Sequence, residues 1–170
     1  MNRRERLMAT LRGEPVDRPA VYFTEITGQE DLDNLDPFNI YSDPSWRPLI
    51  ELAREMTDRI VKALANPFTV MLAHPTGRLL LSREPYAVDM RKVIETAAEC
   101  GKVLELNANP HRLDLDWRQC ILAVQRGVKI AVNPDAHAAE GLEHFRLGVK
   151  IARKGWVTKD DCLNCLDLEA

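Results

Sequence analysis

The sequence predicts an α/β protein built on a parallel sheet. From Pro44 onward, stretches with helical periodicity alternate with short apolar runs of strand length, which is the pattern of parallel strands joined by helical crossovers. The three apolar runs end in polar side chains, among them His74, His111 and Asp135. Because the carboxyl ends of parallel strands meet at one edge of a sheet, where α/β folds place their sites, these polar groups are predicted to lie together.

The helices follow from apolar residues that recur at helical spacing. The first is predicted to start at Pro44, with Asp43 as its N-cap. The capping-box-like run from Thr158 to Asp161 predicts a last short helix, and Trp156, just before that run, is predicted to fill the core. The four long helices are predicted over residues 44–65, 88–100, 116–126 and 139–153.

The strands are the apolar runs between these helices, predicted over residues 68–73, 102–106 and 128–132. Upstream of Pro44, residues 3–11 predict a short amphipathic helix and residues 21–24 a short strand. An acidic, turn-rich loop is predicted over residues 27–44.

The composition is that of an ordinary globular chain, with 170 residues, 45% hydrophobic residues and a net charge of -3. This charge argues against a surface that is basic overall and binds nucleic acid. No apolar run approaches the ~20 residues of a membrane span, and no signal-peptide pattern follows Met1. The four cysteines do not resemble a disulfide framework, so the expected location is the reduced cytoplasm. The Cys162–Cys165 pair is interpreted as reduced thiols on a helix, with zinc or redox chemistry as the alternative.

The most informative single motif is the run from Asn133 to His137, directly after the third apolar run. Asp135 and His137 are a carboxylate and an imidazole two residues apart where a buried strand ends, which places them to hold a divalent metal. The alternative is that both are hydrogen-bonded side chains at a strand end, without a metal.

Four longer runs of sequence, one of which contains this motif, resemble a known protein family. They are MLAHPTGRLLL at 71–81, ELNANPHRLDL at 105–115, VNPDAH at 132–137 and GVKIARKGW at 148–156. Over residues 54–168 the chain resembles the C-terminal part of the PHP (polymerase and histidinol phosphatase) domain of bacterial family X DNA polymerases. The resemblance implies a partial (β/α) barrel of PHP type, preceded by a helical and loop-rich N-terminal segment. It also implies phosphoester hydrolysis of a 3′–5′ exonuclease or phosphatase kind, linked to DNA polymerase X and DNA repair.

The resemblance assigns roles to particular residues. His74, Asp135 and His137 match metal ligands of the family, so the implied cofactor is zinc or manganese, and Asp135 and His137 are the implied catalytic residues. The family's first motif, a His-x-His pair, has no counterpart among the four histidines of this chain. The metal site is therefore expected to be incomplete and the activity impaired. The alternative function is a non-catalytic remnant that acts as a binding or oligomerisation element.

Two further residues are candidates for substrate binding. Arg78 follows Gly77 in a turn and is placed to contact a phosphate bidentately, with a salt bridge to Asp114 or Glu105 as the alternative. Asn107 could orient a bound ligand, although such asparagines also satisfy turn backbone. His111 is expected to have a structural role in its loop and not to bind a ligand.

Residues 1–50 resemble the N-terminus of uroporphyrinogen decarboxylase-like proteins. The expected division is therefore residues 1–50 and residues 51–170, which would join the start of one barrel to the end of another. Open barrel edges of this kind predict a homo-oligomer. The other expected partner is a phosphoester or a DNA 3′ end, and no membrane is expected.

Overall fold

The computed structural model describes residue 9 and residues 14–15, 28–30 and 44–167. The helix predicted over 3–11, except for Ala9, the strand predicted over 21–24 and most of the loop predicted over 27–44 lie outside these residues. The division at residue 50 and the resemblance of residues 1–50 stay predictions.

The sheet has three parallel strands in the order β1-β2-β3. They are β1 (Met71–Leu72), β2 (Val103–Asn107) and β3 (Ile130–Asn133). In the register, Asn107 is paired with Asn133, so β2 and β3 end side by side. This confirms the α/β class and the parallel sheet. The sheet is not closed on itself within the described part of the chain, and the PHP-type barrel stays a prediction.

Within residues 44–167, four α-helices connect and cover the strands, as the sequence predicted. They are α1 (Arg47–Leu64), α2 (Met90–Glu99), α3 (Trp117–Gln125) and α4 (Phe145–Lys154). Two of them begin at an aspartate whose side chain accepts backbone N–H groups, namely Asp89 for α2 and Asp116 for α3. At α3, Gln119 completes a capping box, which satisfies donors that a helix start otherwise leaves unpaired.

Several predicted boundaries were wrong at the ends of elements. Residues Pro44–Trp46 and Ala139–His144 form 3-10 turns ahead of α1 and α4, so both α-helices begin later than predicted. Thr158 does bond to Asp161, with N–H to Oδ2 at 2.9 Å, but no α-helix follows. A short 3-10 helix, Leu163–Cys165, takes its place, so Cys165 lies on a short helix and Cys162 is the N-cap that precedes it.

The two faces of β2 differ in chemistry. Leu104 and Leu106 are fully buried against the helices. Since side chains alternate along a strand, Glu105 and Asn107 lie on the other face. They are buried as well, at 6% and 1% exposure, so polar groups lie inside the protein at the carboxyl end of the sheet.

Close contact with α3 explains why Trp156 is not in the core. A Cβ atom on Gly155 would lie 2.5 Å from Cys120 Cβ and 3.0 Å from the Trp117 carbonyl oxygen, so only glycine fits between α4 and α3. The chain then turns at Trp156 with φ of 60°, and its side chain is 68% exposed. The prediction that Trp156 fills the core is therefore wrong.

The two edges of the sheet differ in their hydrogen bonds and in their exposure. Beyond β3, the Ile130 N–H donates to the Asp161 carbonyl at 2.8 Å, and the Val132 N–H donates to Asn164 Oδ1 at 2.7 Å. Beside β1, Phe68 and Val70 are 92% and 71% exposed, and β1 is shorter than the predicted 68–73. The homo-oligomer predicted from open barrel edges stays a prediction.

No helix in residues 44–167 is both long enough and apolar enough to cross a membrane.

Candidate functional site

Glu105 connects the carboxyl ends of all three strands. Its Oε2 accepts the backbone N–H of His74 at 2.7 Å and the amide of Asn107 at 3.3 Å. Its Oε1 accepts the amide of Asn133 at 3.1 Å. A buried carboxylate is costly unless such donors surround it. Here the partners are neutral donors from His74, Asn107 and Asn133.

The loop after β2 folds back onto the loop after β1. The guanidinium of Arg78 donates to two carbonyl oxygens of the second loop, at Arg112 (2.7 Å) and Leu113. The Thr76 N–H donates to Asp114 Oδ2 at 2.9 Å. Gly77 lies between them with φ of 61°, where a Cβ would meet the Tyr86 ring at 2.5 Å. These contacts fix the two loops against each other.

Asp114 is fully buried beneath this contact. Burial raises the pKa of its carboxyl group above the ordinary value of 3.8, and the Thr76 N–H and the Arg78 guanidinium offset only part of this effect. A group whose pKa is raised by folding stabilises the protein fully below its unfolded pKa and loses that contribution as pH rises through the folded pKa.

Replacing Asp114 with asparagine is therefore expected to change how stability depends on pH. As pH rises from below 3.8, the wild type should lose free energy of unfolding relative to Asp114→Asn, because only the wild type must ionise a buried carboxyl. Urea unfolding at a series of pH values measures the difference. Asp58→Asn, at an exposed surface pair with Lys92, is the control and should show no such trend; a flat difference for Asp114→Asn would contradict the argument.

A cleft of about 320 Å³ opens where the loops after β1, β2 and β3 meet. This volume lies at the low end of the range of ligand sites, roughly 300–1,000 Å³. One part of the lining comes from the loop after β1 and includes Leu79, Leu80 and Ser82. The other part is polar and comes from the loops after β2 and β3, with Asn109, His111, Arg112, Asp135 and His137.

The polar lining contains a guanidinium paired with a carboxylate. Arg112 Nε lies 3.3 Å from Asp135 Oδ2, and both side chains keep about a quarter of their surface exposed (22% and 25%). Arg112 Nη1 also reaches the Arg78 carbonyl oxygen at 3.4 Å. An anion that enters the cleft therefore finds a guanidinium held in place by its neighbours, with Asp135 as the competitor.

His137 is oriented by the backbone of Asp135. Its Nδ1 lies 2.9 Å from the Asp135 carbonyl oxygen. Because a carbonyl oxygen only accepts, Nδ1 carries the hydrogen of this bond, and in the neutral ring Nε2 carries the lone pair. Fixing one ring nitrogen in this way prepares the other to accept a proton or to bind a metal.

The structure brings together only some of the residues predicted for the site. Asp135 and His137 line the cleft, whereas His74 does not. The Arg78 guanidinium is occupied by carbonyl oxygens, in place of the salt bridge considered as its alternative. Asn107 is buried, and its Oδ1 accepts the Asn109 N–H at 3.1 Å. Substrate binding by Arg78 and Asn107 stays a prediction.

Sequence reasoning missed Arg112 and assigned His111 to the loop alone, although both line the cleft. The signal was available, because both follow β2 in the run 105–115 and strand ends were already expected to supply the site.

The three predicted metal ligands do not form a cluster that fits a metal. In residues 44–167 and the shorter described pieces, no group of three or more His, Cys, Asp and Glu side chains is placed to hold an ion. His74 contributes its backbone N–H to Glu105, and Asp135 faces Arg112. A catalytic zinc needs three protein ligands. These residues do not provide that set, and the zinc or manganese cofactor stays a prediction.

Backbone strain is concentrated around the cleft. Among the described non-glycine residues, five have positive φ, a conformation that is uncommon for side chains with a Cβ. Four of them lie in the loops just described, namely His74, Leu81, Leu113 and Asp135. Such outliers gather at functional sites, where surrounding contacts hold them.

A cleft at the carboxyl ends of parallel strands is where α/β proteins bind their ligands. Comparison with known proteins is more specific. The chain is 42% identical over 111 residues to the DNA polymerase/3′-5′ exonuclease PolX of Bacillus subtilis. The aligned residues are 65% of this chain and 20% of PolX. This homology confirms the resemblance to family X polymerases over about two thirds of the chain.

Other relatives are described as probable phosphatases, among them these two. One, from Thermoanaerobacter sp., is 30% identical over 128 residues, which covers 72% of this chain and 49% of the relative. The other, from Caldanaerobacter subterraneus, is 24% identical over 115 residues, which covers 64% of this chain and 42% of the relative. The chain thus spans about a fifth of PolX and up to about half of these phosphatases. No protein-family model matches the chain.

Proposed function

We propose that this chain is part of a PHP-type phosphoesterase whose cleft binds the phosphate of a phosphomonoester or of a DNA 3′ end. The observation that carries the proposal is the cleft itself, in which Arg112, His111 and His137 lie at the carboxyl ends of the parallel strands. The homology to PolX and to probable phosphatases supports the same chemistry.

Arg112 is the residue that we place on the phosphate. A guanidinium makes short, charge-assisted hydrogen bonds to phosphate oxygens. Arg112 is held in the cleft by Asp135 and by the Arg78 carbonyl oxygen, so little further ordering is needed when the anion arrives. Asp135 lowers the affinity, because its carboxylate competes with the phosphate for the same cation.

His137 is the residue that we propose as the proton acceptor. The neutral ring has its lone pair on Nε2, since Nδ1 donates to the Asp135 carbonyl oxygen. A positioned imidazole can accept the proton of a water molecule whose oxygen bonds to phosphorus, and can return that proton to the alcohol oxygen released as the ester P–O bond breaks; such proton transfer contributes about 10²–10⁴-fold. This role uses only residues that line the cleft.

Hydrolysis assays with a histidine substitution test the proposal. The wild type and His137→Ala are given p-nitrophenyl phosphate and a 3′-end-labelled single-stranded oligonucleotide, each without metal and with added zinc or manganese. We expect hydrolysis by the wild type and a loss of about 100-fold in His137→Ala. His144→Gln, at a histidine that does not line the cleft, is the control and should keep its activity.

The second candidate is the non-catalytic binding element. It is favoured by the lack of a three-ligand cluster in the described part of the chain. Phosphate binding without hydrolysis of either substrate, under all metal conditions, would support it and would contradict the phosphoesterase. Absence of both binding and hydrolysis would contradict both candidates.

A further inference from the structure

The hairpin at residues 79–83 is anchored on both sides of its tip. Leu79 and Arg83 exchange backbone hydrogen bonds of 2.9 and 2.7 Å, and the Leu80 N–H donates to the His111 carbonyl oxygen at 2.7 Å. The Arg83 guanidinium donates to the Gly77 carbonyl oxygen at 2.6 Å. The position of the tip is therefore fixed relative to the loop that contributes His111 and Arg112 to the cleft.

Two leucines form this tip, Leu80 and Leu81. Leu80 lines the cleft and is 38% exposed, and Leu81 is fully exposed. Leu81 also has φ of 64°, where asparagine or glycine would be less strained. A single exposed leucine is ordinary. Two adjacent ones on an anchored, strained turn, the first of which lines the cleft, form an apolar edge beside it.

We propose that the Leu80–Leu81 tip is a specificity-determining element that contacts the nucleoside part of a nucleotide whose phosphate lies against Arg112. This inference rests on the proposed function and names the substrate class. The Arg112 guanidinium in the lining matches an anion, and the leucines match the flat face of a base attached to it. Inorganic phosphate contacts only the Arg112 side of the cleft, and a sugar phosphate leaves the leucines facing a polar ligand.

A pair of ligands that differ only in the nucleoside tests the inference. Thymidine 5′-monophosphate and inorganic phosphate are titrated by calorimetry into the wild type and into the double variant Leu80→Ser, Leu81→Asn. Asparagine tolerates the positive φ at 81, so the turn should be kept. We expect the nucleotide to bind about tenfold more tightly than phosphate to the wild type, and we expect this preference to be lost in the variant, whose phosphate affinity should stay within about twofold.

Leu166→Asn is the control, since Leu166 is 40% exposed in a non-helical segment and does not line the cleft. Its preference for the nucleotide should equal that of the wild type. Equal affinities of the wild type for the two ligands, or a preference that survives in the double variant, would overturn the inference and leave phosphate binding in place. If neither ligand binds the wild type, the cleft is not a phosphate site, and the proposed function is overturned together with the inference.

Discussion

Replacing Arg112 with alanine is expected to weaken the binding of inorganic phosphate by about tenfold to a hundredfold. Hydrogen bonds to a charged group contribute roughly 1.5–3 kcal/mol, and each 1.4 kcal/mol is a factor of ten in the dissociation constant. The substitution also leaves the Asp135 carboxylate without the cation that lies 3.3 Å away, so the cleft becomes more repulsive to an anion. Titration calorimetry of phosphate at fixed ionic strength measures the change.

A second variant is expected to change the phosphate affinity in the opposite direction. Asp135→Asn removes the carboxylate that competes for Arg112, so phosphate should bind more tightly than to the wild type. Arg126→Ala is the matched control, because Arg126 forms a surface pair with Glu95 and does not line the cleft. Unchanged phosphate affinity in Arg112→Ala, or weaker binding in Asp135→Asn, would contradict the assignment of Arg112 to the phosphate.

Replacing Glu105 with alanine is expected to lower the free energy of unfolding by about 3–5 kcal/mol. The carboxylate accepts the His74 N–H and the amides of Asn107 and Asn133. Its removal leaves donors from the ends of all three strands without this acceptor and also opens a cavity at a position only 6% exposed. The change is measured by urea unfolding.

Glu95→Ala is the control for this experiment. Glu95 is a surface glutamate, 42% exposed, in an ion pair with Arg126, and such pairs contribute at most about 1 kcal/mol. A similar small loss for Glu105→Ala would show that the strand ends do not depend on the buried carboxylate. If Glu105→Ala does not fold, Glu105→Gln supplies the measurement, since glutamine preserves the volume but retains only one acceptor oxygen.

The fold was largely predictable because its signals are local. Helical spacing of apolar residues located α1 to α4, and short apolar runs located the strands. Boundaries were less predictable, because they depend on contacts across the fold. Phe68 and Val70 have the apolar character of a strand, yet they are exposed and β1 contains only Met71 and Leu72.

The site was predictable only in part. A motif of five residues placed Asp135 and His137 directly after β3, and both line the cleft; their catalytic and metal-binding roles stay predictions. Arg78 illustrates the limit: its place after a glycine suggested a ligand contact, but its guanidinium is satisfied by carbonyl oxygens from a loop 34 and 35 residues away. A spacing along the chain cannot show which donors the fold has already used.

The sequence by itself determined the parallel α/β organisation and the delivery of polar side chains to the ends of the strands. Periodicity fixes which face of each element is buried, and parallel strands necessarily bring their carboxyl ends to one edge. Tertiary structure alone decided which of those polar side chains share a cleft. Asp114 and Arg78 pack the loop after β2 onto the loop after β1. This long-range contact holds Arg112 near Asp135 and engages the Arg78 guanidinium with carbonyl oxygens.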